Sequence, residues 1–345
     1  MLALVRRLLV VLALFASTMA AQEPRTTEQI TVERILIDAR VTDLSGDPIL
    51  GLAADDFVVR VDGKSAKVES VVWIPDTLAA RVAAGLDEED VDTGKETRRG
   101  RFFIYFVQTD FAREPSRLGG QLQFLPYAQK MIDGLEPGDR VAVFSFDSHM
   151  KFQLDFSDDK SEIEFALRRS VLTSEPPPPR PVYSPSLASR LDRKQMLECA
   201  RPEVAFIHVA NAVRNIPGPK TMILFGWGLG HLFGGRVTMD SKYPIARYAL
   251  ESSRVSVFAL DMSIADYHSL EVGLQKTAAD TGGFYAKTHI FPQRAVDRLQ
   301  KTLSGHYELE VRKPSGLPLG QHELEVNVKR RGVYVMARSS FVDKP

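Results

Sequence analysis

From Phe102 to Leu303, apolar runs alternate with amphipathic stretches. No other feature limits the possible folds of this chain so strongly. Phe102 to Val107, Val141 to Phe146, Thr221 to Phe225 and Val255 to Leu260 are almost wholly apolar. Strands covered on both faces read this way. Shorter strands are expected at Phe152 to Phe156 and Phe284 to Ala286. Between them, Leu122, Leu125, Ile132 and Leu135 form a helical stripe, with Pro126 either kinking the helix or sitting in its first turn. Ser157 or Asp159 can cap a helix through Ser170. Helical character runs from Leu187 to Asn215, broken near Pro202. It returns at Pro244 to Ser253, at His268 to Thr281 before Gly282-Gly283, and at Ala295 to Leu303. Strand alternating with helix predicts a doubly wound α/β domain with a mostly parallel sheet over residues 101–304.

The flanks follow another rule. Residues 30–75 read as an N-terminal β-module, with Asp62-Gly63 marking a tight hairpin. In residues 305–343 the period drops to two, giving C-terminal β-strands. Each set has few strands, and a small sheet needs a partner for its apolar face. The two sets are therefore expected to pack into one β-sandwich. Residues 76–100 are charged and aperiodic, as in a linker or mobile loop. Pro176 to Pro179 mark a stiff surface excursion.

The N-terminus carries Arg6-Arg7, the apolar run Leu8 to Phe15 and the small residues Thr18 to Ala21. This is the layout of a signal peptide over residues 1–21, too short for a mature membrane span. The mature chain is thus expected to be exported to the periplasm, the cell surface or the medium. About 320 residues would remain, enough for two domains. Forty-four basic residues balance forty-four acidic ones, so no global field draws the chain to nucleic acid. Cys199 is the single cysteine, so no internal disulfide can form.

Several segments resemble the von Willebrand factor A-related proteins common in acidobacteria. They are Ile37 to Asp43, Leu52 to Phe57, Val61-Asp62-Gly63-Lys64, Gly134 to Val143, Leu274 to Gly283 and Leu303 to Leu309. Their order and spacing cover nearly all of the mature chain. The resemblance implies a von Willebrand factor A-like, Rossmann-like domain. It also implies a divalent-metal adhesion site at the carboxyl ends of the central strands. There Asp-x-Ser-x-Ser, a Thr and a further Asp supply hard oxygens to Mg²⁺.

This chain departs from that pattern. After the first strand come Gln108-Thr109-Asp110-Phe111-Ala112-Arg113-Glu114. In one register Gln108 replaces the first Asp; in the other Asp110 is retained and Glu114 offers an oxygen. The third loop reads Gly226-Trp227-Gly228-Leu229-Gly230, with no carboxylate, and the Thr loop is placed near Thr173. Asp110 and Glu114 are the candidate ligands for Mg²⁺ or Mn²⁺ in a degenerate site. Gln108, Asp110, Thr173 and Trp227 are the candidate partner-binding crevice. Gly226 to Gly230 is not a nucleotide fingerprint. His149, His231 and His268 show no metal-ligand spacing. Asp261 reads as a cap at a strand end, and Asp147 as a residue of the crevice rim. No catalytic constellation is evident. The expected function is a non-enzymatic module that binds another protein in the cell envelope. The alternatives are a scaffold subunit with a vestigial crevice and an exported hydrolase using Asp110, Asp147 or Asp261.

Overall fold

The computed structural model describes residues 34–86, 100–109, 114–172, 175–177 and 184–343. The expected leader, Asp110 and Thr173 lie outside the described residues. The first elements are β1 (Arg34–Thr42), β2 (Phe57–Val61), β3 (Lys64–Pro75) and the short helix α1 (Leu78–Ala83). Next come β4 (Phe102–Gln108), α2 (Pro115–Asp133), β5 (Arg140–Phe146), β6 (Met150–Ser157) and α3 (Lys160–Val171). They lead to α4 (Arg193–Glu198), α5 (Pro202–Val213), β7 (Lys220–Gly226) and the hairpin of β8 (His231–Phe233) and β9 (Arg236–Thr238). Then follow α6 (Tyr243–Ser252), β10 (Val255–Asp261), α7 (Glu271–Asp280), β11 (Tyr285–Lys287) and α8 (Pro292–Thr302). The last strands are β12 (Gly305–Arg312), β13 (Gly320–Val328), β14 (Tyr334–Ala337) and β15 (Ser340–Asp343).

The apolar runs build a six-stranded sheet in the order β11-β10-β7-β4-β5-β6. All neighbours pair in parallel except β6, an antiparallel edge strand beside β5. Because successive side chains point to opposite faces, each strand feeds two cores. Ile104, Phe106, Phe144, Met222 and Leu224 pack with residues of α5 and α6. Phe103, Tyr105, Val143, Ile223, Phe225 and Phe258 pack with residues of α2, α3 and α8 on the other face. The body is therefore wound on both sides. Asp159 caps α3, accepting from Ser161 N at 2.8 Å, and the Ser157 hydroxyl donates to Glu162 at 2.9 Å. Of the stripe expected on α2, Ile132 is buried and Leu125 and Leu135 pack against the core on that side, and Leu122 alone is corrected. Leu122 is exposed, and the buried face is Gly120, Gln121, Phe124, Ala128, Met131 and Ile132. Pro126 sits inside that helix. At Gly120 a Cβ would lie 1.6 Å from the Met262 carbonyl oxygen, so α2 can rest on the loop after β10 only without a side chain there.

The terminal segments share one seven-stranded sheet, β14-β1-β12-β3-β2-β13-β15, antiparallel throughout. The two segments come together as expected, but their strands join in one continuous sheet in place of the expected two-sheet sandwich. β3 is long enough to pair with β2 at its start and with β12 over the rest. Alternate residues of β1 (Ile35, Ile37, Ala39, Val41), β2 (Phe57, Val59, Val61) and β12 (Tyr307, Leu309, Val311) fill a single core. Residues 76–100, expected as a linker, include helix α1, which Thr77 caps.

The opposite face of β1 and β12 docks on the α/β body. Arg254 Nε donates to Asp38 Oδ2 at 2.9 Å, and Arg254 Nη2 reaches Glu308 at 3.0 Å. Arg254 has φ +53°, a left-handed conformation uncommon outside glycine. Ser339 N donates to Asp280 O at 2.9 Å, closing the other end of the contact.

Candidate functional site

Open α/β sheets bind ligands beyond the carboxyl ends of their strands, where the strand order reverses. Here that point lies between β4 and β7, the strands that end in Gln108 and Gly226. Gln108 is 3% exposed. Its Nε2 donates to Gly228 O at 2.7 Å, and its Oε1 accepts from Trp227 N at 3.1 Å and Gly228 N at 3.4 Å. Its own carbonyl accepts from Gln121 Nε2 at 2.6 Å. An amide can donate and accept at once; an ionised carboxylate only accepts. Gln108 therefore latches the Gly226–Gly230 loop, where an aspartate could not make the bond to Gly228 O. Gly228 is pressed against the chain before α7, since a Cβ would lie 2.5 Å from Leu270 Cβ.

Thr109 N–H and Oγ1–H both donate to Phe146 O, at 2.8 and 3.1 Å, joining the ends of β4 and β5. Glu114 caps α2. Its Oε2 accepts from Ser116 N at 3.0 Å and Arg117 N at 3.2 Å, and from the Ser116 hydroxyl. The hydroxyl first, then these amides, hold the Glu114 carboxyl below its ordinary range. Glu114, expected as a metal ligand, serves here as a helix cap. Half-buried Trp227 lies under the Arg117 guanidinium, 3.7 Å from its ring centroid. The pair forms a cation–π stack at the crevice mouth.

Asp147 follows β5. Burial pushes its carboxyl up, but Lys151 Nζ at 2.8 Å, together with the Ser148 and His149 amides, outweighs this and holds it below the usual range. Lys151 also reaches Glu175 at 3.0 Å. Asp147 therefore belongs to an ion-pair network at the β5–β6 turn.

The structure assembles one cluster from residues scattered between positions 261 and 287. Parallel pairing of β10 with β11 sets Asp261 opposite Lys287. Asp261 is 1% exposed. Its Oδ1 accepts from Ser263 N at 3.0 Å. Its Oδ2 meets His268 Nε2 and the Tyr285 hydroxyl, each at 2.7 Å. Glu271 Oε2 pairs with Lys287 Nζ at 2.7 Å. Burial first, then Asp261, raises the Tyr285 phenol far above its usual pKa. Asp261 thus does more than the expected cap. Ligand atoms of Asp261, His268 and Glu271 lie within 4.8 Å of one another. Each carboxylate nevertheless already has a protein partner. Ser263 Oγ lies 3.3 Å from His268 Nε2, the same nitrogen that meets Asp261. A nucleophilic triad needs the serine and the carboxylate on opposite ring nitrogens. The arrangement therefore lacks a proton relay. The sequence signal was Asp261-x-Ser263 at a strand end with His268 and Glu271 following.

No protein-family model and no curated protein matches the chain. Among solved structures it is similar to BatB, a conserved hypothetical protein from Bacteroides thetaiotaomicron. Identity is 14% over 59% of this chain and 98% of that one, with TM-score 0.40. A von Willebrand factor type A protein from Catenulispora acidiphila shares 9% identity over 91% and 74%, with TM-score 0.37. The manganese-loaded TRAP protein of Plasmodium vivax shares 12% over 69% and 93%, with TM-score 0.38. Likenesses this distant carry no functional inference.

Proposed function

We propose that this chain is an exported, non-enzymatic protein-binding module on a von Willebrand factor A-like domain whose metal-ion-dependent adhesion site is degenerate. Two observations support the fold assignment: the strand order with its antiparallel edge strand, and the sequence resemblance. The functional reading is carried by the Gln108 latch. The position at which a metal-binding loop would begin spends its side chain on the neighbouring loop. Among the described residues, Gln108 holds a loop and Glu114 caps a helix, so neither offers a free hard oxygen to Mg²⁺ or Mn²⁺. These two positions do not suit the ion, and we assign recognition to the loop surface around Trp227 and Arg117.

Among the described residues, no helix is long and apolar enough to cross a membrane. The proposed setting is the periplasm, the cell surface or the medium, and the proposed partner is another envelope protein. Capture from native envelope extract tests this. The purified mature chain is expected to retain its partner in EDTA and to lose it on Trp227→Ala. Loss of the partner in EDTA would overturn the metal-independent reading. Turnover in a broad hydrolase screen would overturn the non-enzymatic one.

A further inference from the structure

The opposite end of the α/β body holds a second recess, between the starts of its strands and the outer face of the terminal sheet. This cleft has a volume of about 900 Å³, within the range of small-molecule pockets. Arg40 of β1 lines it. Arg40 lies on the face of β1 away from the β-core, and docking of the two lobes leaves it 4% exposed. Among the described residues it makes no hydrogen bond and no ion pair, and its Nε is buried without a partner. Its guanidinium carbon lies 5.6 Å from the centroid of the Phe258 ring, and the Asp76 and Asp38 charges act on it without a hydrogen bond.

The nearby carboxylates, of which Asp76 and Glu308 also line the cleft, are already engaged with basic side chains. Asp38 is held by Arg254, and Asp76 by His306 Nδ1 at 2.8 Å. Arg101, also on the cleft wall, is taken by Asp139 at 3.1 Å. Among the described residues the ammonium of Lys220, another buried cation, has a single hydrogen bond, to Ile216 O at 2.6 Å, and Lys220 stands beside Arg254. A buried guanidinium without an acceptor is costly, and native structures supply one from protein, water or ligand. Ile74, Phe102, Ile216 and Leu303 give the same cleft apolar walls.

We propose that this interlobe cleft binds a small-molecule oxyanion, a carboxylate or a phosphate, whose charged head pairs with Arg40 and whose body rests on the apolar walls. The planar guanidinium fork suits both head groups. The site is separate from the crevice around Gln108 and does not depend on the function proposed for it.

The test is calorimetric titration of the purified mature chain with inorganic phosphate and, separately, with octanoate. At least one is expected to bind. Its affinity should fall tenfold or more in Arg40→Met and in Ile74→Trp, which fills the cleft without touching the charge. The probe that binds tells phosphate from carboxylate. If Arg40→Met does not fold, Ile74→Trp decides alone. Binding of neither probe, or binding that a folded variant leaves unchanged, overturns the proposal.

Discussion

Replacing Gln108 with alanine removes the group that ties the ends of β4 and β7 together. It strands Gly228 O and the amides of Trp227 and Gly228, which the side chain now satisfies at 2.7, 3.1 and 3.4 Å. A buried group left unpaired costs about 1–3 kcal/mol. Trp227 is half-buried, so water can reach part of the loop and the lower half of that range applies there. Two well-formed bonds and a small cavity give about 3 kcal/mol in total. Urea unfolding at neutral pH measures the sum, and hydrogen exchange at Trp227 and Gly228 reports the local opening. Gln108→Asp provides the sharper comparison. It restores the carboxylate of a metal-binding loop but cannot donate to Gly228 O. It should be at least as destabilised, and millimolar Mg²⁺ or Mn²⁺ should not rescue it. An alanine variant within about 0.5 kcal/mol of the parent, with unchanged exchange, would refute the latch. So would metal rescue of the aspartate variant.

Three further outcomes are expected. Burial first, then Arg254, lowers the Lys220 pKa from its usual 10.5 to about 8. The folded value lies below the unfolded one, so the unfolded chain binds the extra proton in that window. Stability should therefore rise with pH between those two values and be lowest beneath them. The change is at most about 3 kcal/mol, and it should vanish in Lys220→Met when unfolding is followed against pH. Arg254→Ala should cost about 3–5 kcal/mol by leaving Asp38 and Glu308 without their cation. It should also split the calorimetric transition in two as the lobes uncouple. Gly120→Ala should displace α2 from Met262, with a loss of several kcal/mol and a chemical-shift change confined to α2 and the loop after β10.

Much of the α/β body was legible because its signals are local. Phe102 to Val107 is apolar on both faces and can lie only in a covered strand. Asp159 stands where a helix must begin. Period-two alternation in β12 marked the face that now shares a core with β1. Other features depend on long-range packing and left no local mark. Leu122 fits the α2 stripe by spacing, yet Gly120 and Gln121 take the buried side because Met262 and β4 press there. Asp261, His268, Glu271, Tyr285 and Lys287 come from three elements and the loops beside them, and meet only because β11 pairs with β10. Arg40 carries no local mark of burial; docking of the lobes is what buries it. The role of Gln108 was half visible. Its identity showed the loss of a carboxylate, and only the fold showed what the amide does instead.

Photocrosslinking from position 227 tests recognition at the latched loop most directly. A photoreactive residue in place of Trp227, in the mature protein, is exposed to envelope extract with EDTA and, in parallel, with Mg²⁺. The same partner adduct is expected in both. An adduct that forms only with the divalent ion, or that forms from an exposed control such as Phe233 on the β8–β9 hairpin and never from 227, would contradict it.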